Sequence, residues 1–377
     1  MSFSALGLPK YLVQALDKNN LNNPYPIQEQ AIPAILNKKD VLGIAKTGSG
    51  KTASFVLPIL ANLENQPKLK DRHIAVLILV PTRELALQVN DVVDVFSKNL
   101  PFTCKTMAVY GGTSVNVQMK TMSNVSVLIA TPGRLLDLIS SNAVHLDEVK
   151  TFVIDEADKM LNLGFKKELD EIIALLPTKK QTLLFSATLN PNIESIQRIA
   201  LNNPLIIHIA SDENSVELIN QTAYAVSPEK KGPLLRHLIV SKNMQQVLIF
   251  TSSAFQADAV ATKLNHNNIQ ARAIHSKKSQ FARTTALDNF KDGKLRVLVS
   301  TDILSRGIDI KFLPYVINYE LPRSPKDYIH RIGRTGRSEN PGEAIALVIP
   351  DDQHHFNVIQ KKMKTMVELI DAKELDI

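Results

Sequence analysis

Residues 41–55 read VLGIAKTGSGKTASF, and this stretch decides the fold because it joins a strand pattern to a helix pattern through a glycine-containing turn. Backbone N–H groups in such a turn point towards phosphate oxygens, so the order strand, turn, helix predicts a phosphate cradle. Lys51 can reach the outer phosphates, and the hydroxyl of Thr52 can ligate magnesium. Ala45 stands where the strict motif has its first glycine, but the two later glycines still allow a tight turn.

Apolar runs of strand length alternate with helix-length segments along the rest of the chain. They read DVLGIA, IAVLILVP, TCKTMAVYGG, VSVLIATP, TFVIDEAD and QTLLFSAT, and then QVLIFTSS, IQARAIHS, LRVLVSTD, YVINYELP and GEAIALVIP. Such runs predict mostly parallel strands covered by helices on both faces, so the fold class is α/β. The tail over residues 354–377 is predicted to be a terminal helix with a frayed end.

A polar stretch, ASDENSVELINQ at residues 210–221, interrupts this series, and a new series follows it. We therefore predict a first domain over residues 1–209, a short linker over 210–218 and a second domain over 219–377. Each domain has enough strand patterns for its own open sheet. The second series loosely repeats the first, which predicts two similar domains with a cleft between them.

The composition, with 44% hydrophobic and 21% charged residues, is that of a soluble globular protein. No apolar run reaches the roughly 20 residues that a membrane span needs. The single cysteine, Cys104, excludes an internal disulfide and is typical of a reducing compartment. We therefore expect a cytoplasmic, monomeric protein with no membrane partner.

The formal net charge of +7 indicates a polyanionic partner. Between Lys263 and Arg296, eight Lys or Arg residues stand against two Asp residues, although a solvated helix face would also explain this excess. There is no tryptophan, and only 5% of residues are aromatic. A nucleic acid would therefore be held mainly by its phosphates and sugars.

Three carboxylates, Asp155, Glu156 and Asp158, crowd directly after the apolar run TFVI. A cation bound to a triphosphate offsets the repulsion between such acids. Asp155 is then predicted to hold Mg²⁺, and Glu156 to orient and deprotonate an attacking water. An acidic first turn that merely complements a helix dipole is the alternative for this stretch alone.

The second half supplies cations in the stretch YIHRIGRTGR, residues 328–337. Arg331, Arg334 and Arg337 recur at a spacing of three, which predicts that they share one helix face. A planar guanidinium suits the charge on a transferring phosphate. Because this half has no cradle of its own, these residues can act only when the two domains meet.

Ten motifs occur in a fixed order: PYPIQ with Phe3 upstream, AKTGSGKT, PTREL, GG at 111–112, TPGR, DEAD, SAT, VLIF, STDILSRGID and HRIGRTGR. With them the sequence resembles, over nearly its whole length, the DEAD-box ATP-dependent RNA helicases, which carry two RecA-like domains in tandem. The resemblance implies ATP and Mg²⁺ as cofactors and single-stranded and duplex RNA as partners.

The resemblance also assigns residues to roles. Gln28, at the end of an adenine-recognition segment over residues 1–28, would read the adenine edge, Phe3 would pack on the base, and Asp309 with Gly307 would contact the ribose. The nucleotide-binding set is Phe3, Gln28, Ala45, Lys46, Thr47, Gly48, Ser49, Gly50, Lys51, Thr52, Gly307 and Asp309. The catalytic set is Lys51, Asp155, Glu156, Arg334 and Arg337, with Thr52 and Asp155 on the metal. A coupling set that links hydrolysis to closure is Asp158, Ser186, Thr188 and His330. The RNA-binding set is Pro81, Thr82, Arg83, Gly112, Thr131, Arg134 and Thr301.

The function expected from these residues is RNA-stimulated ATP hydrolysis coupled to local, sequence-tolerant unwinding of short RNA duplexes or to remodelling of RNA–protein complexes. Three alternatives stay open: an ATP-gated RNA clamp with little unwinding, a DNA translocase, and a plain nucleotide-binding module. The last leaves the arginines of the second half without a role.

Overall fold

A computed structural model describes residues 2–46, 48–64, 66–67, 69–189, 191–209, 219–302, 313–336 and 342–375. The chain forms two compact units, Met1–Ser211 and Asp212–Ile377. Each unit contains one seven-stranded parallel sheet, which confirms the predicted α/β class with two tandem sheets. The predicted linker, residues 210–218, lies outside the described residues.

The first sheet runs in the order β3-β4-β2-β5-β6-β1-β7. Its strands are β1 (Val41–Ile44), β2 (Val76–Leu79), β3 (Lys105–Val109), β4 (Val125–Ala130), β5 (Thr151–Ile154), β6 (Gln181–Ser186) and β7 (Leu205–His208). Their carboxyl ends are level, because Leu79 pairs with both Ala130 and Ile154, and Val109 also pairs with Ala130. The loops that follow these strands emerge at one edge, where open parallel sheets bind ligands.

Helices cover both faces of this sheet because successive strand residues point to opposite sides. Val76 and Ile78 belong to one apolar cluster, and Leu77 and Leu79 belong to the other. The helices are α1 (Lys10–Lys18), α2 (Pro26–Leu36), α3 (Lys51–Asn62), α4 (Arg83–Ser97), α5 (Val115–Lys120), α6 (Pro132–Ser140), α7 (Ala157–Asn162), α8 (Lys166–Leu175) and α9 (Pro191–Ala200), after a 3₁₀ turn over Phe3–Leu6.

The second sheet repeats this plan in the order β10-β11-β9-β12-β13-β8-β14. Its strands are β8 (Ile219–Ala225), β9 (Val247–Thr251), β10 (Ala271–Ile274), β11 (Val297–Thr301), β12 (Tyr315–Asn318), β13 (Gly342–Val348) and β14 (Glu368–Asp371). The α-helices described here are α10 (Lys231–Ser241), α11 (Ala254–His266), α12 (Gln280–Lys291), α13 (Pro325–Ile332) and α14 (Gln353–Met363). Val260 of α11 packs with Ile249, whereas Phe290 of α12 packs with Leu248, so α11 and α12 cover opposite faces.

Two strands of the second sheet, β8 and β14, were not predicted. The tail does contain a helix, α14, but the expected frayed end is wrong, because Glu368–Asp371 forms β14 and pairs with β8. Both strands are polar in sequence. β14 pairs with β8 alone and β8 is only partly buried, so neither shows the apolar run that identified the other strands. Among the described residues no helix is both long and apolar enough to cross a membrane.

Candidate functional site

The glycine-containing turn after β1 forms the predicted cradle. Gly48 and Gly50 have φ values of 94° and 85°, a backbone region that favours glycine. A Cβ atom at Gly50 would lie 2.5 Å from Nε2 of Gln28, so the site also lacks space for a larger residue there. The turn leads straight into α3, whose first residue is Lys51. The local sequence therefore places backbone N–H groups at the start of a helix, as a phosphate site requires.

Gln28 ties the N-terminal segment, which is predicted to recognise adenine, to this turn. Its Nε2 donates to the carbonyl of Gly50 at 3.1 Å, and its Oε1 accepts from the backbone N–H of Tyr25 at 2.8 Å. The side chain is 4% exposed. Phe3 is also buried, within the apolar cluster that contains α1 and α2. Gln28 thus lies beside the cradle, and Phe3 packs into the core behind it.

Lys51 is buried beside the acids of the DEAD stretch. Its Nζ donates to the carbonyl of Ala45 at 2.5 Å. The pKa of Asp155 is raised to about 6, because burial and then the negative charge of Glu156 raise it by more than the charge of Lys51 lowers it. The cradle lysine and the predicted metal ligand therefore act on each other electrostatically.

Glu156 has a strained backbone and an incompletely bonded side chain. It caps α7 with φ 52°, in the left-handed region that non-glycine residues seldom adopt. One side-chain oxygen, Oε1, accepts from Nζ of Lys159 at 2.6 Å, while Oε2 is buried without a protein partner. A buried polar atom with no partner is costly, and such atoms concentrate where a ligand or water completes the site.

The third acid of the stretch joins the SAT motif. Asp158 accepts from the hydroxyl of Thr188 and from the backbone N–H of Ala187, at 3.3 and 3.4 Å. The hydroxyl of Ser186 donates to the carbonyl of Thr188 at 2.8 Å. Three of the four residues predicted to couple hydrolysis to closure are thus bonded to one another. The fourth, His330, belongs to α13 in the second unit.

The residues predicted to hold RNA in the first unit follow neighbouring strands. Pro81 and Thr82 follow β2, Gly112 follows β3, and Thr131 follows β4. The hydroxyl of Thr82 accepts from the backbone N–H of Leu85 at 3.3 Å, which caps α4. Because β3, β4 and β2 are adjacent, these loops lie side by side at the carboxyl edge of the sheet.

Two arginines hold these loops together. A Cβ atom at Gly112 would lie 2.0 Å from Nη1 of Arg83, so the guanidinium packs directly on the GG turn. Arg134 donates to Oε1 of Gln118 at 2.6 Å and to the carbonyl of Thr113 at 2.9 Å. Sequence reasoning missed Thr113 and Gln118, because only the fold brings them to Arg134. Arg134 is 6% exposed, so it positions the loops as well as carrying charge.

The second unit corrects one prediction. Arg331, Arg334 and Arg337 do not share a helix face, because α13 ends at Ile332 and Arg334 lies in the turn after it. Gly333 caps the helix, and Gly336 adopts φ 80°, so the glycines of IGRTGR break the helical path. Thr301, which is predicted to contact RNA, is the last residue of β11, at the carboxyl edge of the sheet.

Arg331 serves the structure of the second unit. It binds Asp302 through two parallel hydrogen bonds, at 2.6 and 2.8 Å, and donates to Oδ1 of Asn318 at 2.9 Å. Its guanidinium carbon lies 5.0 Å from the ring centre of Phe250. Arg331 is 2% exposed, and its guanidinium is held by partners within the second unit.

Comparison with known proteins decides the family. A DEAD/DEAH box helicase model matches residues 25–196, and a helicase conserved C-terminal domain model matches residues 230–339. The DEAD-box ATP-dependent RNA helicase RhpA of Helicobacter pylori is 38% identical over 376 residues, which is 100% of this chain and 75% of RhpA. The chain belongs to the DEAD-box ATP-dependent RNA helicases.

Further relatives of this helicase agree. DEAD-box ATP-dependent RNA helicase CshA of Bacillus subtilis is 33% identical over 377 residues, covering 100% of this chain and 75% of CshA. Among solved structures, S. cerevisiae Dbp5 bound to RNA and ADP BeF3 has a TM-score of 0.83 at 29% identity, covering 100% of this chain and 97% of that one. A DEAD box protein from Methanococcus jannaschii has a TM-score of 0.55 at 34% identity, covering 98% and 99%.

Some predicted residues of the helicase lie outside the described part of the chain. They are Thr47 of the cradle, Gly307 and Asp309 of the predicted ribose contact, and Arg337. Their roles stay predictions. Lys46, Ser49 and Thr52 are described and belong to the cradle and the first turn of α3.

Proposed function

We propose that this helicase hydrolyses ATP in response to RNA and uses the cycle to separate short duplexes locally. The observation that carries the proposal is the buried pair Asp155 and Glu156, which lies beside the cradle lysine at the same sheet edge as the RNA loops. A nucleotide and a strand bound at one edge can influence each other through the loops they share.

The oxygens present fit a magnesium ion. Mg²⁺ prefers oxygen ligands, and Asp155 and Thr52 supply a carboxylate and a hydroxyl beside the phosphate cradle. Burial and the negative charge of Glu156 raise the pKa of Asp155, so this pair of acids would gain from a cation there. When bound with ATP, the ion would neutralise charge on the phosphate oxygens.

Glu156 is the proposed general base. Its Oε1 is held by Lys159, so the unpartnered Oε2 is the atom left to accept a proton from water. The water oxygen bonds to the γ-phosphorus, the bond to the β–γ bridging oxygen breaks, and ADP leaves with that electron pair. Lys51 and, from the second unit, Arg334 and Arg337 stabilise the charge on the transferring group.

RNA is held by loops that address its backbone. Residues that contact phosphates and sugars hold a strand without selecting its bases. The proposed contacts of this kind are Pro81, Thr82, Arg83, Gly112, Thr131, Arg134 and Thr301. Binding of ATP and RNA together would join the two units, and the bonded group of Asp158, Ser186 and Thr188 would transmit hydrolysis to their separation. RNA affinity should fall steeply with salt.

ATP turnover with and without a single-stranded RNA tests the proposal. We expect RNA to accelerate turnover and a DNA of the same sequence to do so weakly, because discrimination requires the 2′-hydroxyl. Equal acceleration by both strands would favour a DNA translocase. No acceleration by either strand would overturn the proposed function.

A strand-displacement assay on a short RNA duplex separates unwinding from clamping. We expect ATP-dependent release of the shorter strand, and no release by Glu156→Gln. Hydrolysis and stable RNA binding without strand release would favour the ATP-gated clamp. We further propose that the protein acts in the cytoplasm as a monomer, and sedimentation at increasing concentration tests the second point.

A further inference from the structure

Two phenylalanines of the second unit stand out by their exposure. Phe255 is 81% exposed and Phe281 is 82% exposed, whereas every other phenylalanine within the described ranges is buried or partly buried. Phenylalanine has no polar atom that could benefit from water, so exposing two whole rings calls for an occupant.

Both rings lie at the carboxyl edge of the second sheet. Phe255 is in the first turn of α11, directly after β9, and Phe281 is in the first turn of α12, after β10. β11 separates these two strands in the sheet and ends at Thr301, which pairs with Thr251 of β9. The rings therefore flank the strand end that carries the proposed RNA contact Thr301.

An acidic residue fixes the segment between the two rings. Asp258, one turn beyond Phe255, accepts from His275 at 3.0 Å and binds Nζ of Lys278 at 2.8 Å. His275 is 3% exposed, so the loop between β10 and α12 is anchored on α11. The helix caps are already satisfied by Ser253 and Ser279, which accept from Gln256 and Ala282. Other residues therefore fix the backbone that carries the two rings, and the exposed rings are not needed to fix it.

The surroundings of the rings favour RNA over a protein. Each ring is surrounded in sequence by polar residues, Ser252 and Ser253 before Phe255, and Ser276 to Gln280 before Phe281. Lys277 is exposed in this loop, within the region of excess positive charge. Protein-binding faces need a contiguous apolar patch, whereas a strand binder combines isolated aromatic rings with cations.

We propose that Phe255 and Phe281 form a two-part stacking platform for unpaired RNA bases at the carboxyl edge of the second sheet, with one ring on each side of the end of β11. The inference rests on the proposed function, because it assumes that an RNA strand passes this edge. The contacts proposed above address only the RNA backbone. The platform adds the faces of the bases, which are common to all sequences, so it strengthens binding without selecting a sequence.

The test compares an oligouridine of about ten nucleotides with an abasic RNA of the same length and backbone. Binding of each to the full chain is measured in the presence of a non-hydrolysable ATP analogue. We expect the wild type to prefer the base-containing strand by about fivefold to tenfold per ring. In Phe255→Ala/Phe281→Ala the preference falls towards one, while affinity for the abasic strand is unchanged. Both positions are exposed, so folding should be little affected.

Two further variants identify the interaction. Phe255→Trp/Phe281→Trp should keep the preference for bases, because it keeps flat aromatic rings, and Phe255→Leu/Phe281→Leu should lose most of it. Equal base preference in the wild type and the alanine variant would overturn the platform alone. If the wild type binds neither strand, the proposed function fails and the platform with it. If the alanine substitutions leave RNA binding intact but change the sedimentation of the free protein, the rings belong to a protein contact and the inference is wrong.

Discussion

Each unit carries an acid directly after the end of a strand, and the two acids have different partners. Asp302, after β11, is clamped by the two-bonded guanidinium of Arg331. Asp155, after β5, accepts one backbone N–H bond, from Glu156 at 2.9 Å, and lies next to a second acid. The repulsion between these two acids is only partly offset.

This difference indicates which of the two acids belongs to a functional site. The charge of Asp302 is compensated within the second unit, whereas burial and the charge of Glu156 raise the pKa of Asp155, and Oε2 of Glu156 has no protein partner. Such perturbed groups are expected where a ligand completes the charge balance. The first unit therefore carries an electrostatic cost that a bound cation would relieve, and the second unit compensates the matching acid with Arg331.

The largest effect is expected when the base is removed. Glu156→Gln keeps the shape of the side chain but cannot accept a proton, so RNA-stimulated turnover should fall by about 10²- to 10⁴-fold. ATP-dependent RNA binding should persist or tighten, because nothing that holds the nucleotide or the strand is lost. Turnover and fluorescence anisotropy with labelled RNA measure the two quantities. Parallel loss of both would contradict the assignment of Glu156 as base.

The compensated acid predicts a loss of stability. Arg331→Met removes a buried guanidinium that bonds the part-exposed Asp302 and the buried Asn318, so the free energy of unfolding should fall by about 3 kcal/mol, the lower end of the cost of breaking a buried pair. Urea unfolding of the full chain measures it. Arg323→Met, at an exposed position two residues before α13, is the matched control and should change stability little. An Arg331→Met chain as stable as the control would remove the contrast between the two acids.

The uncompensated acid predicts the opposite sign. The pKa of Asp155 is raised from 3.8 to about 6, so the ligand-free fold favours the neutral acid. Ionisation of Asp155 therefore costs nothing below about pH 4, and its cost to the fold grows between about pH 4 and pH 6 and is constant above that, at on the order of 3 kcal/mol. Asp155→Asn should stabilise the ligand-free protein at pH 7.5, lose this pH dependence and abolish turnover.

Urea unfolding at pH 4.5 and pH 7.5, without nucleotide, measures this effect. Asp17→Asn, at an exposed position in α1, is the control and should leave the pH dependence unchanged. If Asp155→Asn destabilises the protein at pH 7.5, then Asp155 is compensated in the free protein after all.

The sequence predicted the fold well where burial is high on both faces of a strand. The apolar runs identified β1 to β6 and β9 to β13, but not the polar β8 or the edge strands β7 and β14. The spacing of Arg331, Arg334 and Arg337 suggested one helix, and the glycines between them end it instead. A periodic pattern cannot reveal a break when the breaking residues lie between the counted positions.

Residue types and the order of the motifs predicted which residues form the site, but they did not predict the hydrogen bonds and ion pairs between those residues. Arg331 and Asp302 are 29 positions apart, so their pairing depends on how α13 packs on the second sheet. The pairing of Lys159 with Glu156 depends on the left-handed backbone at Glu156, which no sequence pattern shows. Residue types indicate the chemistry of a site, but only the three-dimensional structure shows which charges are paired.

The central claim is that the first unit holds the reactive nucleotide and the second unit completes the site through Arg334. Single-turnover hydrolysis of prebound ATP, with and without saturating single-stranded RNA, tests it when the wild type and Arg334→Ala are compared side by side. We expect RNA to accelerate hydrolysis strongly in the wild type and the substitution to cost about 10³-fold in that accelerated rate, with ATP still bound. Equal acceleration by RNA in both proteins would contradict the account.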